Sequence, residues 1–447
     1  MPTLCTKWPA DPAFGDLFAE LSPQVLPAAL CRDGVPGAAG WSGCQILEAL
    51  YDPGRQLRLA FALGGAQLSA ARAWPDGAVF YLRHPVRRPM SRRGRVIRLG
   101  GLECELYRFP NDRRLRGLRR FAARAQAASI WQQWLDASGE PLQLQRASLR
   151  RSLLRYVPEQ KWIIRLVARA AGPAGGETSK LAVVVRAGDP RGGPAMMARL
   201  EALRSATREA DGAFRLPKPI AFDARLGLLA VRWVWGEDLL DLLKSGAEHD
   251  VLERVAQGLA VLHKAPIDDL AAAPPDVFMG QAERCAADLV AACPGNGAGL
   301  GELLAELQAR RPEPPAAWAT VHNDFHWKQL RGRPDRLTLL DFERCVRADP
   351  LVDVATFAAQ LELLGERPDL DVSPETAGRW RSRFLEHWER AAGQAVDHEK
   401  LSWYGACALL VLARGRMRHL RPDWNRLAEH CVQRARDILA DPASTCA

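Results

Sequence analysis

Two kinds of hydrophobic pattern divide this chain, and the order in which they come restricts the folds open to it. Up to about residue 237 most apolar runs are short, strand-like and closed by turn residues. After Asp238 they recur at helical spacing over 251–263, 279–292, 300–311, 350–364, 374–392 and 400–439. One stretch, 318–344, interrupts the helices with two short apolar runs around a polar cluster. Strands followed by helices predict an α+β fold rather than an alternating parallel one. A length of 447 residues with 48% hydrophobic and 25% charged residues allows two or three domains, each able to bury a core.

The strand-rich part has internal structure of its own. Residues 1–40 are rich in Pro, Ala and Gly, with one apolar stretch over 17–26, and read as an extension holding one helix. From Ile46 to Leu63 a Pro53-Gly54 turn separates two apolar runs, and a third run follows at Ala78–Leu82, which predicts a small antiparallel sheet. A helix is expected over Leu115–Leu135, ended by Gly139-Glu140-Pro141. The same layout then returns. Tyr51-Asp52-Pro53-Gly54-Arg55 before a strand is matched by Tyr156-Val157-Pro158-Glu159-Gln160 before Trp162–Ala168, and Val79–Arg83 by Val183–Arg186. A partial duplication of a small sheet and a chance likeness of two hairpins are both open readings. Further on, a helix over Pro194–Ser205 and a strand over Gly227–Trp235 complete this part. The expected domains are 1–145, an N-terminal α+β domain; 150–236, a small sheet lobe; and 237–440, a helical lobe.

The formal charge of +9 is local in origin. Arg83–Arg120 holds thirteen arginines against Glu103, Glu105 and Asp112, and the rest of the chain is close to neutral. No nucleic-acid-binding module surrounds that segment, so an anionic partner is a weaker reading than an arginine-biased composition. The ten cysteines show no CxxC pair and no histidine at ligand spacing, and read as reduced packing residues. The opening residues lack a basic and apolar leader and no apolar run is long enough to span a bilayer, so a cytoplasmic protein is expected.

Chemistry concentrates in the interruption. It reads Val321-His322-Asn323-Asp324-Phe325-His326-Trp327-Lys328-Gln329-Leu330, a polar turn, then Leu337-Thr338-Leu339-Leu340-Asp341-Phe342-Glu343. One aspartate precedes an amide side chain by five residues, and a second closes an apolar strand. Phosphoryl transfer uses such a set: a carboxylate that orients the attacking hydroxyl and accepts its proton, and a carboxylate with an amide oxygen for Mg²⁺. The plain alternative is that Asp341 caps a turn, that His326 packs in its loop, and that Trp233 and Trp235 lie in the core. No GxxxxGK[ST] loop and no GxSxG elbow is present, and Gly172–Gly176 is a poor phosphate cradle.

The loop resembles His-x-Asp-x-x-x-x-Asn of the aminoglycoside phosphotransferase and choline kinase group of small-molecule kinases, which share the protein-kinase-like fold. The resemblance implies a two-lobed α+β chain with an extra N-terminal domain. It makes Asp324 the catalytic base, His322 a brace for the loop, Gln329 the occupant of the metal-binding Asn position and Asp341 the main metal ligand. Asp349-Pro350-x-x-Asp353 looks like the family's Asp-Pro-x-x-Asp element, in which Asp353 binds the loop's backbone. Val231–Gly236 looks like the strand and hinge along which an adenine lies, which assigns Trp233, Val234 and Trp235 to the nucleotide. The Gln329 and Asp-Phe-Glu variants are similar to maltose and glucosamine kinases.

One departure concerns the strand Lys180–Arg186, which lacks the expected phosphate-gripping lysine. Lys180 and Arg186 share a face but lie about 20 Å apart. Arg186, able to fork onto phosphate, takes the role, with Glu201 on the next helix as its partner. The resemblance thus implies ATP, Mg²⁺ and a small hydroxyl substrate such as a sugar, an aminoglycoside or an amino alcohol. Glu343 or Asp349 would suit a cationic one. The alternative is a pseudokinase-type binding or regulatory protein that has lost the nucleotide lysine.

Overall fold

The computed structural model describes residues 8–9, 11–36, 40, 43–63, 79–87, 93–115, 117–172, 178–187, 193–208, 210, 214–267, 269–293 and 297–442. The chain forms two compact units. The first comprises Met1–Met197, Lys218–Trp233 and Met417–Asp423; the second comprises Ala198–Pro217, Val234–Arg416 and Trp424–Ala447. Among the described residues no helix is long and apolar enough to cross a membrane. Cys104, Cys345, Cys407 and Cys431 are buried free thiols.

In the first unit two short helices, α1 (Leu17–Glu20) and α2 (Leu26–Arg32), replace the single N-terminal helix expected. They precede β1 (Cys44–Asp52), β2 (Gln56–Leu63), β3 (Val79–His84), β4 (Gly94–Leu99) and β5 (Leu102–Arg108), which form one antiparallel sheet in the order β1-β2-β3-β5-β4. The helix expected over 115–135 is two, α3 (Leu118–Ala122) and α4 (Arg124–Ala137), because Ala123 between them is extended at φ −87, ψ 114. A second antiparallel sheet follows: β6 (Gln143–Leu144), β7 (Arg150–Val157), β8 (Lys161–Ala171), β9 (Ser179–Ala187), the helix α5 (Gly193–Thr207), β10 (Pro219–Asp223) and β11 (Leu228–Arg232). Its order is β10-β11-β9-β8, with β6 and β7 both paired to β8. The Gly172–Gly176 stretch falls outside the described residues beyond Gly172.

The two hairpins match in detail. Tyr51 faces Leu57 and Tyr156 faces Trp162 across loops of equal length, and the turn residues Gly54 and Glu159 both sit at left-handed φ, +63 and +60. Asp11 Oδ2 accepts from Tyr51 Oη (2.7 Å) and from the Gly54 N–H (2.7 Å). Asp112 Oδ2 accepts from Tyr156 Oη (2.8 Å) and from the Glu159 N–H (3.0 Å). The sheets differ in where a bulge falls, between Ile46 and Glu48 in one and between Leu153 and Arg155 in the other.

One hydrophobic core serves both sheets, drawing Tyr81 and Tyr107 from the first, Phe121, Trp131 and Trp134 from α3 and α4, and Trp162, Leu166 and Val185 from the second. Charge is buried there as well. Arg83 Nη1 lies 2.8 Å from Glu159 Oε2, both side chains 2% exposed, and Tyr81 Oη donates to the other oxygen of Glu159. Arg113 pairs with the buried Glu105 at 3.3 Å. Arg418 and His419 join this unit by pairing with Asp52 and, at 2.7 Å, with Glu48. The basic segment is therefore partly structural: Arg83 and Arg113 are committed to buried carboxylates, whereas Arg87, Arg98, Arg114 and Arg120 are exposed.

The second unit opens with β12 (Glu237–Asp238) and continues through the helices α6 (Leu239–Lys244), α7 (Glu248–Lys264), α8 (Pro275–Ala292) and α9 (Gly297–Ala309). The interruption supplies β13 (Ala319–Val321), β14 (Leu330–Arg333), β15 (Arg336–Leu339) and β16 (Val346–Ala348), after which come α10 (Leu351–Gly365), α11 (Pro374–Ala392), α12 (His398–Arg418) and α13 (Trp424–Ala440). The single helix expected over 400–439 is broken between α12 and α13, where Leu420 takes φ +43 and Pro422 cannot donate to a helix.

Candidate active site

The strand β13 delivers the 322–329 loop and pairs antiparallel with β16, Val321 opposite Val346, while β14 and β15 form the hairpin that follows. The loop rests on aromatic packing. Phe325 is fully buried, with ring centroids 5.1 Å from Phe357 and 6.0 Å from Phe214, and Phe357 lies 4.6 Å from Phe384 on α11. Polar groups fix its backbone. Asp353 on α10, fully buried, accepts the His322 N–H on Oδ2 (2.7 Å) and the Asn323 N–H on Oδ1 (2.8 Å). A buried carboxylate is stable there because both oxygens are hydrogen-bonded. Asp353 thus sits where the family resemblance places it, bound to the loop's main chain.

His322 is fully buried, and its Nε2 lies 2.9 Å from the Leu340 carbonyl. That carbonyl only accepts, so the ring donates from Nε2 and ties the loop to the residue before Asp341. The Leu340 N–H donates to the Gln329 carbonyl at 2.8 Å. These two bonds draw the start of the loop, its end and the approach to Asp341 together. Asp324 lies between, its side chain 35% exposed, with Oδ1 3.9 Å from Nη1 of Arg344. Asn323 and Asp341 both adopt left-handed backbone, at φ +59 and +63. Asn and Asp tolerate this conformation better than most residues, and such strain gathers at functional sites.

Of the residues expected around a nucleotide, those near the hinge are the best defined. The Trp233 N–H donates to the Ala182 carbonyl at 2.9 Å, and the Arg165 guanidinium lies 4.9 Å from its ring centroid. Trp235 is 55% exposed, which corrects the expectation that it packs in the core. The reason lies next door. Gly236 at φ +132 approaches Gly332 so closely that a Cβ would meet its carbonyl oxygen at 2.4 Å, and β12 pairs there with β14. With the backbone of 236–238 held against the hairpin, Trp235 has no core face to enter.

Arg186 sits near the end of β9 in the first unit, half-buried, while Lys180 at the other end is exposed. Glu201 belongs to the part of α5 in the second unit, where it is exposed and lines an open cavity together with Arg204 and Arg208. Asp349, offered above as a group for a cationic substrate, is 4% exposed; it accepts the Leu351 N–H at the start of α10, and burial pushes its carboxyl up. Glu343 is exposed.

Three residues near the loop carried no decisive signal in the sequence. Arg344 reaches Asp324. His263 on α7 places Nε2 3.3 Å from Asp353 Oδ2, a contact across ninety residues. His326 accepts the Lys328 N–H on Nδ1, and burial first, then Lys328 and His322, push its imidazole down to about 3, so it stays neutral and carries its proton on Nε2.

Among the described residues no three His, Cys, Asp or Glu side chains converge as a ready metal cage. Asp341 and Gln329 offer one carboxylate and one amide oxygen. This hard-oxygen set fits Mg²⁺, which is commonly held by one or two carboxylates with phosphate and water filling its remaining positions.

No curated protein sequence matches this chain. Solved structures of similar fold include an aminoglycoside phosphotransferase in ternary complex with ADP and hygromycin B, 16% identical, with TM-score 0.46 over 70% of this chain and 98% of that one. A choline/ethanolamine kinase family protein from Mesorhizobium loti is 12% identical, with TM-score 0.44 over 63% and 88%. Plasmodium vivax ethanolamine kinase is 11% identical, with TM-score 0.45 over 75% and 92%. A sequence model described as the phosphotransferase enzyme family matches residues 176–404. That span is just over half of the chain and takes in β9, the Asp324 loop, Asp341 and Asp353, so this protein belongs to the phosphotransferase enzyme family.

Proposed function

We propose that this chain transfers the γ-phosphoryl group of ATP, with Mg²⁺, to a hydroxyl of a small molecule such as a sugar, an aminoglycoside or an amino alcohol. The observation that supports it most is the way Asp353 and His322 immobilise the backbone on either side of Asn323 and bring the Asp341 approach to it. Asp324 is then a carboxylate on a fixed, half-exposed loop, suited to orient a hydroxyl and take its proton late in a loose transition state. Arg344 steadies the Asp324 carboxylate at 3.9 Å, a contact between part-exposed groups worth at most about 1 kcal/mol. Asp341 and Gln329 would hold Mg²⁺, which when bound offsets charge on the phosphates. Arg186 would fork onto phosphate, and Trp233, Val234 and Trp235 would line the adenine.

The same reading makes 150–236 the small lobe, 237–440 the helical lobe, and 1–145 a partial duplicate of the small lobe. The two aspartates have separable tasks, which gives the test. Asp341→Asn should lose Mg²⁺-dependent nucleotide binding and turnover together, measured by calorimetry and ADP release. Asp324→Asn should keep Mg²⁺–ATP binding while kcat falls by about 10²–10⁴. Wild-type turnover of a proven substrate by Asp324→Asn would overturn the mechanism. Absence of any thermal shift with ATP, with or without Mg²⁺, would favour the pseudokinase alternative.

A further inference from the structure

A concavity of about 840 Å³ in the second unit is lined by none of Asp324, Gln329 or Asp341. Five arginines from separate stretches of chain line it: Arg204 on α5, Arg208 and Arg215 on the connection after it, Arg254 on α7 and Arg336 at the start of β15. Against these five guanidinium groups the described residues of the lining include two carboxylates, Glu201 and Asp335. Among the described residues none of the five guanidinium groups is ion-paired to a carboxylate; the Arg204 side chain donates to the Leu216 carbonyl, and the side chains of the other four have no hydrogen-bond or ion-pair partner there. Phe214, Leu216 and Leu337, all buried, form an apolar floor.

Guanidinium groups stay charged at any physiological pH, so gathering five of them around one concavity costs mutual repulsion unless an anion offsets it. A concave wall of low dielectric also focuses their field outward into the cavity. Each fork can take two phosphate oxygens, and the volume is within the range of small-molecule sites. We propose that this cavity is a second binding site, for a small molecule carrying two or more phosphate groups. Its floor is tied to the candidate active site through main-chain bonds: the Arg215 N–H donates to the Leu337 carbonyl at 2.8 Å, and the Leu339 N–H to the Arg215 carbonyl at 3.0 Å, two residues before Asp341. The ligand would therefore sit against the strand that leads to the proposed metal ligand Asp341, whose side chain does not line the cavity.

The test is calorimetric titration of the full chain with sodium tripolyphosphate in about 0.15 M salt with a chelator present, so that Mg²⁺-dependent binding at the phosphotransfer site is silent. One saturable site per chain is expected. The Arg254→Ala, Arg336→Ala double variant should bind at least about tenfold more weakly, and Asp341→Asn should bind like the wild type. Arg208→Ala with Arg215→Ala gives an independent disruption, and thermal unfolding checks that each variant is folded. Orthophosphate should bind at least about tenfold more weakly than tripolyphosphate, since one phosphate engages fewer forks. No saturable binding, unchanged affinity in both double variants, equal affinity for orthophosphate, or loss of binding in Asp341→Asn would each overturn the proposal. The last outcome would place the probe in the phosphotransfer site and leave the phosphotransferase reading standing.

Discussion

Tyr51 and Tyr156 hold the same place in two antiparallel sheets of the first unit, and from them the register can be counted to the third strand of each. Leu57 and Trp162 face the tyrosines; one residue further along, Arg58 faces Arg83 and Ile163 faces Arg186. Arg83 and Arg186 are therefore equivalent positions, and the structure uses them differently. Arg83 is closed off by Glu159, with both side chains 2% exposed, whereas Arg186 remains half-buried in the stretch that matches the phosphotransferase family. The partner explains the asymmetry. Glu159 sits at φ +60, where the first sheet has Gly54, and a left-handed non-glycine residue costs about 1–2 kcal/mol. The buried pair to Arg83 offsets that cost, so the turn of the second sheet holds the arginine of the first. Of two arginines at matching positions, Arg83 is enclosed with a buried carboxylate and Arg186 is only half-buried.

The sharpest way to break this comparison is to remove each arginine in turn. Arg83→Met leaves Glu159 charged and buried without its partner, a change that costs about 3–5 kcal/mol, and a large fall in the urea midpoint is expected. Adding Glu159→Gly should restore much of the loss, because it removes both the orphaned charge and the left-handed strain. Should Arg83→Met unfold at the wild-type midpoint, the pair is not what holds the two sheets' turn and strand together.

Arg186→Met should do the opposite. Its stability should fall by less than that of Arg83→Met, because its side chain is half-buried rather than enclosed, while Mg²⁺–ATP affinity falls at least about tenfold, the worth of one charge-assisted phosphate contact. Unchanged nucleotide affinity would remove Arg186 from the proposed site and leave the third strand without a phosphate ligand. Stability loss equal to that of Arg83→Met would erase the distinction between the two positions.

A smaller effect tests whether the turns themselves are equivalent. Asp11 and Asp112 each clamp a tyrosine hydroxyl and a turn N–H, so Asp11→Ala and Asp112→Ala should each cost about 1–3 kcal/mol by leaving those donors unsatisfied. Similar losses by chemical denaturation are expected. A neutral Asp11→Ala beside a costly Asp112→Ala would show that only the second sheet depends on its clamp.

How much of this was legible in the sequence follows from the range of the interactions. The hairpins at Tyr51 and Tyr156, the strands through Arg83 and Arg186 and most of the helical spans were readable, because alternation and turn residues are local signals. The Asp324 loop was readable for the same reason, as a break in helical period with chemistry-bearing residues inside it. The clamps were not, since Asp11 and Asp112 lie 40 and 44 residues from their tyrosines and nothing local marks them. Arg83 and Arg113 read as free positive charge, and only the fold shows the buried carboxylates that hold them. Helix breaks were missed at Ala123, where no proline or glycine interrupts the pattern, and at Leu420, where the signal from Pro422 was outweighed by the surrounding helical period. The plain alternative that buries Trp235 in the core fails because it rests on aromatic content, which predicts burial, while this residue is 55% exposed beside a glycine contact with a hairpin nearly a hundred residues away.

The smallest expected effect isolates the backbone from everything else at the turn. Gly54 occupies φ +63, and a Cβ placed there would meet no atom within 4 Å. Gly54→Ala therefore tests conformation alone: no clash forms, no side-chain bond is lost, and the N–H that donates to Asp11 is retained. An alanine in left-handed backbone costs about 1 kcal/mol relative to glycine, reduced somewhat by the lower entropy of its unfolded chain. The companion experiment is Glu159→Gly in a background already carrying Arg83→Met; there the change removes the orphaned carboxylate along with the left-handed strain, so its gain should exceed the Gly54→Ala loss. A gain no larger than that loss would mean that the orphaned Glu159 carboxylate costs little and that the two turns differ only in the residue each has at one left-handed position. A Gly54→Ala loss well above about 2 kcal/mol would mean instead that the first turn is held more tightly than the second, and that the glycine answers a constraint other than φ.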